Sequence, residues 1–180
     1  MPGSPDPVLG NWLLTHVVAV AAALGTVGVV YATRARSARG SLTPALLGGG
    51  YALATLAVWT AARLATDAFP SGFVEGPLAA AGFLGFSFLL LAGFVVAAAL
   101  LFARRGLVAP LVGLFGVTEL VWWAFLHVRG ETDALGMFLF VGPALLVLLL
   151  VAAGVEYAGR WGWRRFVRGG GRSAPIESRN

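Results

Sequence analysis

Cysteine is absent from the 180 residues, which excludes disulfide frameworks, thiolate metal sites and cysteine nucleophiles, and leaves the redox compartment unread. Lysine is absent as well. Without it there is no amine for a retinal or pyridoxal Schiff base and no phosphate-gripping lysine of a Walker A loop. Charge of either sign is scarce, at 12% of the chain against about 25% in soluble domains. Glutamine is missing, and isoleucine occurs once, at Ile176. Alanine, glycine, valine and arginine take their place, the signature of coding bias in a G+C-rich prokaryotic genome. The 13 basic residues, all arginine, therefore carry no implication of nucleic acid as a partner. Catalytic signatures are also missing: there is no HExxH, no GxSxG, no phosphate loop and no pair of aspartates within one helical turn.

What is present is hydrocarbon. Hydrophobic residues make up 58% of the chain and the mean hydropathy is +0.84. Uncharged runs suggest spans at about 8–33, 42–64, 78–103, 107–128 and 134–158, the fourth interrupted only by Glu119. Each can cross a hydrocarbon core of ~30 Å, since about 20 residues suffice as a helix. Backbone groups in lipid must be satisfied internally, and runs without alternation of period two do not make a barrel. The expectation is an all-α, polytopic integral membrane protein, a bundle of five transmembrane helices in one domain over residues 1–160.

Short connections set its orientation. Arg34, Arg36, Arg39, Arg104, Arg105, Arg160, Arg164, Arg165, Arg168, Arg172 and Arg179 fall on one side. The other side carries only Arg63 and Arg129, against Asp6, Asp67, Glu75, Glu131 and Asp133. By the positive-inside rule the N-terminus lies outside and the C-terminus in the cytoplasm of a cell membrane. The first run has no basic stretch before it and ends in arginines, so it reads as a retained helix rather than a cleaved signal. Pro and Gly mark turns in the loop of residues 66–77, where Phe69 and Phe73 suit contact with the bilayer surface. Small pairs at four-residue spacing (Ala21 and Gly25, Gly28 and Ala32, Gly48 and Ala52, Gly154 and Ala158) suit close helix contacts, within the bundle or between copies.

Counting at 1.5 Å per residue from the arginine-rich side places Glu119 ~18 Å deep, near the bilayer centre, and His16, Arg63 and His127 at ~27 to ~31 Å, near the outer rim. An acid at that depth costs about 2.5–3.5 kcal/mol and normally faces the bundle interior. His127 lies eight residues beyond Glu119, ~12 Å along the axis, too far for a direct pair. The partner of Glu119 must therefore come from another helix, and Thr55 and Ser87 are at suitable depth. His16 and His127, at similar level, are the two residues that could hold a haem or other redox cofactor. Both also suit an aromatic belt with Trp12, Trp122 and Trp123. Arg63 with Asp67, and Glu156 with Arg160, stand at i,i+4 near helix ends and read as anchoring pairs.

Residues 161–180 form a basic, aromatic juxtamembrane tail, disordered at the polar end from Gly169 to Gly171 onward. Arg160, Arg164, Arg165 and Arg168 interleave with Trp161 and Trp163, as expected of an anchor on anionic headgroups, with Trp12 as its counterpart at the other interface. The leading functional expectation is a non-enzymatic accessory or structural subunit of a membrane assembly, with other membrane subunits or its own copies as partners. The second is a transporter or proton-conducting protein using Glu119. The third is a haem- or quinone-linked redox protein using His16 and His127.

Overall fold

The computed structural model describes residues 6–68, 76–128 and 133–169. The expected contacts of Phe69 and Phe73, and the tail from residue 170 onward, lie outside the described residues, as do Arg129 and Glu131. The described chain is all-α apart from two short paired strands.

Strand β1 (Asp6–Pro7) precedes α1 (Trp12–Ala32). The first helix starts four residues inside its apolar run, because Gly10 turns the chain at φ +69° and Asn11 then caps the helix by accepting the Leu13 N–H at 2.8 Å. A short helix, α2 (Arg34–Arg39), follows where the sequence suggested a plain connection. Then come α3 (Leu42–Ala65) and α4 (Pro77–Arg105). Proline opens α4, where its missing N–H costs nothing, and Gly106 closes it in the left-handed region at φ +67°, donating to Phe102 O.

Next is α5 (Ala109–Phe125), which stops short of the expected end at 128. The chain leaves the helix there to form β2 (His127–Val128), antiparallel to β1, with Asp6 opposite Val128 and Pro7 opposite His127. The Val8 N–H extends the pairing to Leu126 O at 2.9 Å. His127 is thus not a helical residue, which corrects its expected place eight residues up the Glu119 helix. The last helix, α6 (Ala134–Gly169), continues well past the expected 158. Its extension is supported by contacts at helical spacing: Arg160 on Glu156, Arg165 over the Trp161 ring, and Trp163 stacked on Phe166.

Four helices, α1, α3, α4 and α6, are long and apolar enough to cross a membrane, whereas α5 is a shorter apolar helix of 17 residues. Helices α1 and α5 pack together, α3 lies along α4, and α4, α5 and α6 contact one another. Helix α2 folds back onto α4. The core includes Trp59, Leu91, Phe94, Leu114, Phe125 and Leu135, with the Phe138 ring near both Phe94 and Phe125 at 6.3 Å.

Of the four glycine-bearing small pairs, only Gly48 with Ala52 seats a helix. A Cβ at Gly48 would lie 2.8 Å from Ala92 O, whereas none at Gly25, Gly28 or Gly154 would meet anything within 4 Å. Gly48→Ala should therefore lower stability by about 1–3 kcal/mol through overpacking against backbone. Gly28→Ala should cause no loss. Thermal unfolding in mild detergent that ranked the two the other way would contradict this account of the α3–α4 contact.

Candidate functional site

Each helix contributes few polar groups, so their partners can be traced individually. Glu119, on the α1-facing side of α5, meets His16 of α1, with His16 Nδ1 3.2 Å from Glu119 Oε1. Thr55 and Ser87 do not provide its partner. Thr55 accepts the Trp122 Nε1–H at 3.2 Å, and Ser87 donates to Phe83 O within its own helix at 2.7 Å. The reason is angular. Thr118 and Trp122 occupy the side of α5 turned toward the bundle interior and α3, while Glu119 and Trp123 turn toward α1.

Helix length explains why a depth difference of ~9 Å on the counting ruler vanishes. His16 is 16 residues from the end of α1, ~24 Å, and Glu119 is 10 residues from the start of α5, ~15 Å. Their contact requires α5 to begin ~9 Å farther into the bundle than α1 ends. That deep start is capped from α6. Glu156 accepts the Val108 N–H at 3.0 Å and the Ala109 N–H at 2.7 Å, while Arg160 binds both Glu156 and Gly106 O. Glu156 and Arg160 therefore do more than the anchoring expected of them: they close the first turn of α5, where free N–H groups and the helix dipole favour an anion.

Aromatic rings surround the histidine. Trp12 stands edge-on to His16 with centroids 4.3 Å apart, and Trp123 stacks on it at 5.8 Å. Trp123 also touches His127 at 4.4 Å, so one indole contacts both imidazoles. His127 Nδ1 lies 2.6 Å from Trp123 O. A carbonyl can only accept, so Nδ1 carries the proton of this contact, and among the described residues no group bonds the buried Nε2. Each Nδ1 is thereby engaged, one on a carboxylate and one on a carbonyl. Among the described residues no three His, Cys, Asp or Glu gather to hold a metal ion. Trp122 and Trp123 make contacts between helices, to Thr55 and His16 respectively, while Trp12 is largely exposed.

The His16 and Glu119 side chains are 32% and 27% exposed, at the seam of α1 and α5. Two apolar grooves, about 410 Å³ between α1 and α3 and about 530 Å³ between α5 and α6, are lined by neither residue.

Arg63 is the residue whose expected role changes most. It is 3% exposed, so it does not snorkel, and its partner is Asp133 rather than Asp67. Its Nε and Nη2 both reach Asp133 Oδ1 at 2.7 Å, and its Nη1 donates to Phe125 O at 3.1 Å. Trp59 lies under the guanidinium at 4.7 Å and donates from Nε1 to the same carboxylate oxygen at 3.3 Å. The other oxygen, Oδ2, caps α6 by accepting the Leu135 N–H at 2.9 Å. No sequence spacing pointed to this cluster, because Arg63 and Asp133 are 70 positions apart.

At the arginine-rich end, Arg160 is part-buried, Trp161, Trp163, Arg164 and Arg165 are exposed, and the side chain of Arg168 lies outside the described residues. No protein-family model, curated protein or solved structure matches the chain.

Proposed function

We propose that this chain is a five-span membrane bundle, N-terminus outside and C-terminus cytoplasmic in a cell membrane, acting as a non-enzymatic accessory or structural subunit. One observation carries this reading: the His16–Glu119 pair stands partly exposed on the α1–α5 seam instead of being enclosed in the bundle. Polar side chains facing hydrocarbon are costly, and a helix of another subunit laid on the seam would remove that exposure. The other charged contacts support the same reading, since Arg63–Asp133 and Glu156–Arg160 hold the bundle's own helices. Purification of the tagged full chain in mild detergent, followed by mass spectrometry, tests it. A stoichiometric membrane partner is expected, and a His16→Leu/Glu119→Leu variant should lose it while remaining monodisperse. A wild-type protein that purifies without any partner would sink the subunit reading.

A second reading, proton conduction through Glu119, is favoured by the contact of a titratable pair with an aromatic ladder that ends at His127 near the N-terminal end of the bundle. In proteoliposomes with an imposed pH gradient, wild type would conduct and Glu119→Gln would not. Because glutamine keeps a hydrogen-bonding group toward His16, Glu119→Gln should shift stability by less than about 1 kcal/mol. A severe loss of folded protein from that change would show that the charge itself is structural.

A further inference from the structure

Where α4 ends and α6 leaves the bundle, the charges do not balance. Glu156 is the one acid at this end among the described residues, and its carboxylate is engaged by Arg160 and by the Val108 and Ala109 N–H groups. Arg104, Arg105, Arg164 and Arg165 are exposed around it. Two contacts fix their arrangement: the Arg105 guanidinium lies 5.7 Å from the Tyr157 ring centroid, and Arg160 Nη1 donates to Gly106 O at 2.9 Å. Tyr157, Arg160 and Arg164 follow at three- and four-residue spacing, so they share the stripe of α6 that meets the end of α4. Arg165 lies over Trp161 at 3.7 Å, a cation and ring pair suited to the boundary between headgroups and acyl chains.

The geometry points to a binding site for the phosphate of an anionic membrane lipid at the junction of α4 and α6, with Arg105 and Arg164 as its principal ligands and Tyr157 as its apolar wall. Arginine suits this task because its planar fork of donors matches phosphate oxygens. The helix N-terminus of α5, the alternative anion site nearby, is already filled by Glu156. The site rests on the reading of the chain as a membrane bundle with this end at a leaflet surface.

The test uses the full chain in mild detergent, titrated with phosphatidylglycerol, phosphatidylcholine or inorganic phosphate and read by native mass spectrometry and thermal shift. Saturable binding of phosphatidylglycerol over phosphatidylcholine is expected. Arg105→Gln/Arg164→Gln should weaken it by roughly 25-fold, about five-fold per basic group near a membrane surface. Arg34→Gln/Arg36→Gln, which changes the charge on α2 equally, should leave it intact. Equal loss in both variants would replace the site with diffuse surface charge, and equal protection by inorganic phosphate would overturn the lipid assignment. Displacement of bound lipid by RNA at matched ionic strength would transfer the arginines to a nucleic-acid surface. A chain that stayed monodisperse without detergent would fail the membrane reading instead, and either outcome is recognisable separately.

Discussion

Asp133→Asn should destabilise the protein by about 3 kcal/mol, the low end of the 3–5 kcal/mol typical for breaking a buried ion pair, since the carboxylate itself is partly exposed. Asparagine can still cap α6, so the loss isolates the ion pair from the cap. Its amide nitrogen would then face the Arg63 Nε and Nη2 donors, leaving a guanidinium that is 3% exposed without a counter-charge. Arg63→Met/Asp133→Asn should recover most of the stability, because a flexible apolar chain of similar length can lie on Trp59 where the guanidinium does now. Recovery should be incomplete by about 1 kcal/mol, as Phe125 O loses its donor. Denaturation midpoints in one detergent compare the three proteins. A single variant as stable as wild type, or a double variant worse than the single, would contradict the pairing. Arg63→Lys should behave closer to the single variant, since one ammonium cannot reach Asp133 and Phe125 O together.

The second large effect is expected at Glu156. Glu156→Ala removes two charge-assisted bonds to backbone N–H groups and releases Arg160, a loss of about 2–3 kcal/mol given the partial exposure of the carboxylate. The effect should be local. Amide exchange over the first turn of α5 should accelerate roughly 30- to 150-fold, the ratio corresponding to that free energy, while the amides at the other end of α5 should change little. Glu156→Gln should fall between the two, because one amide oxygen can cap but cannot hold Arg160 electrostatically. Uniform acceleration through all helices would mean that Glu156 supports global stability rather than one helix end.

The apolar runs and the absence of alternation were sufficient to read a helical chain, to place α1, α3 and α4 within about four residues at each end and to place the start of α6, whose C-terminal extension they missed. They overran α5 at both ends for a physical reason. Apolar composition continues through Leu126, His127 and Val128, but the backbone there bonds to β1, and hydropathy carries no record of which partner a peptide group chooses. The candidate site was legible only in part. That Glu119 needs a partner from another helix followed from helical spacing, and the structure supplies His16. Choosing His16 over Thr55 or Ser87 required knowing that α5 starts deeper than its neighbours, and that depends on Glu156 reaching from a different helix. Arg63 shows the same limit: an i+4 neighbour is visible in sequence, whereas Asp133 becomes its partner only once α3, α5 and α6 are assembled.

The packing of α1 against α5 has a consequence for biogenesis. His16 and Glu119 are separated by 103 positions, and the strand at Asp6–Pro7 waits for His127 and Val128. At translation rates of ~5–20 residues per second, the first helix is made roughly 5–20 s before its main partner. Helices α3 and α4, adjacent in sequence and packed on each other, can pair during that interval. On the reading of the chain as a membrane bundle, α1 is therefore made well before its main partner, and His16 waits for Glu119 until α5 has followed.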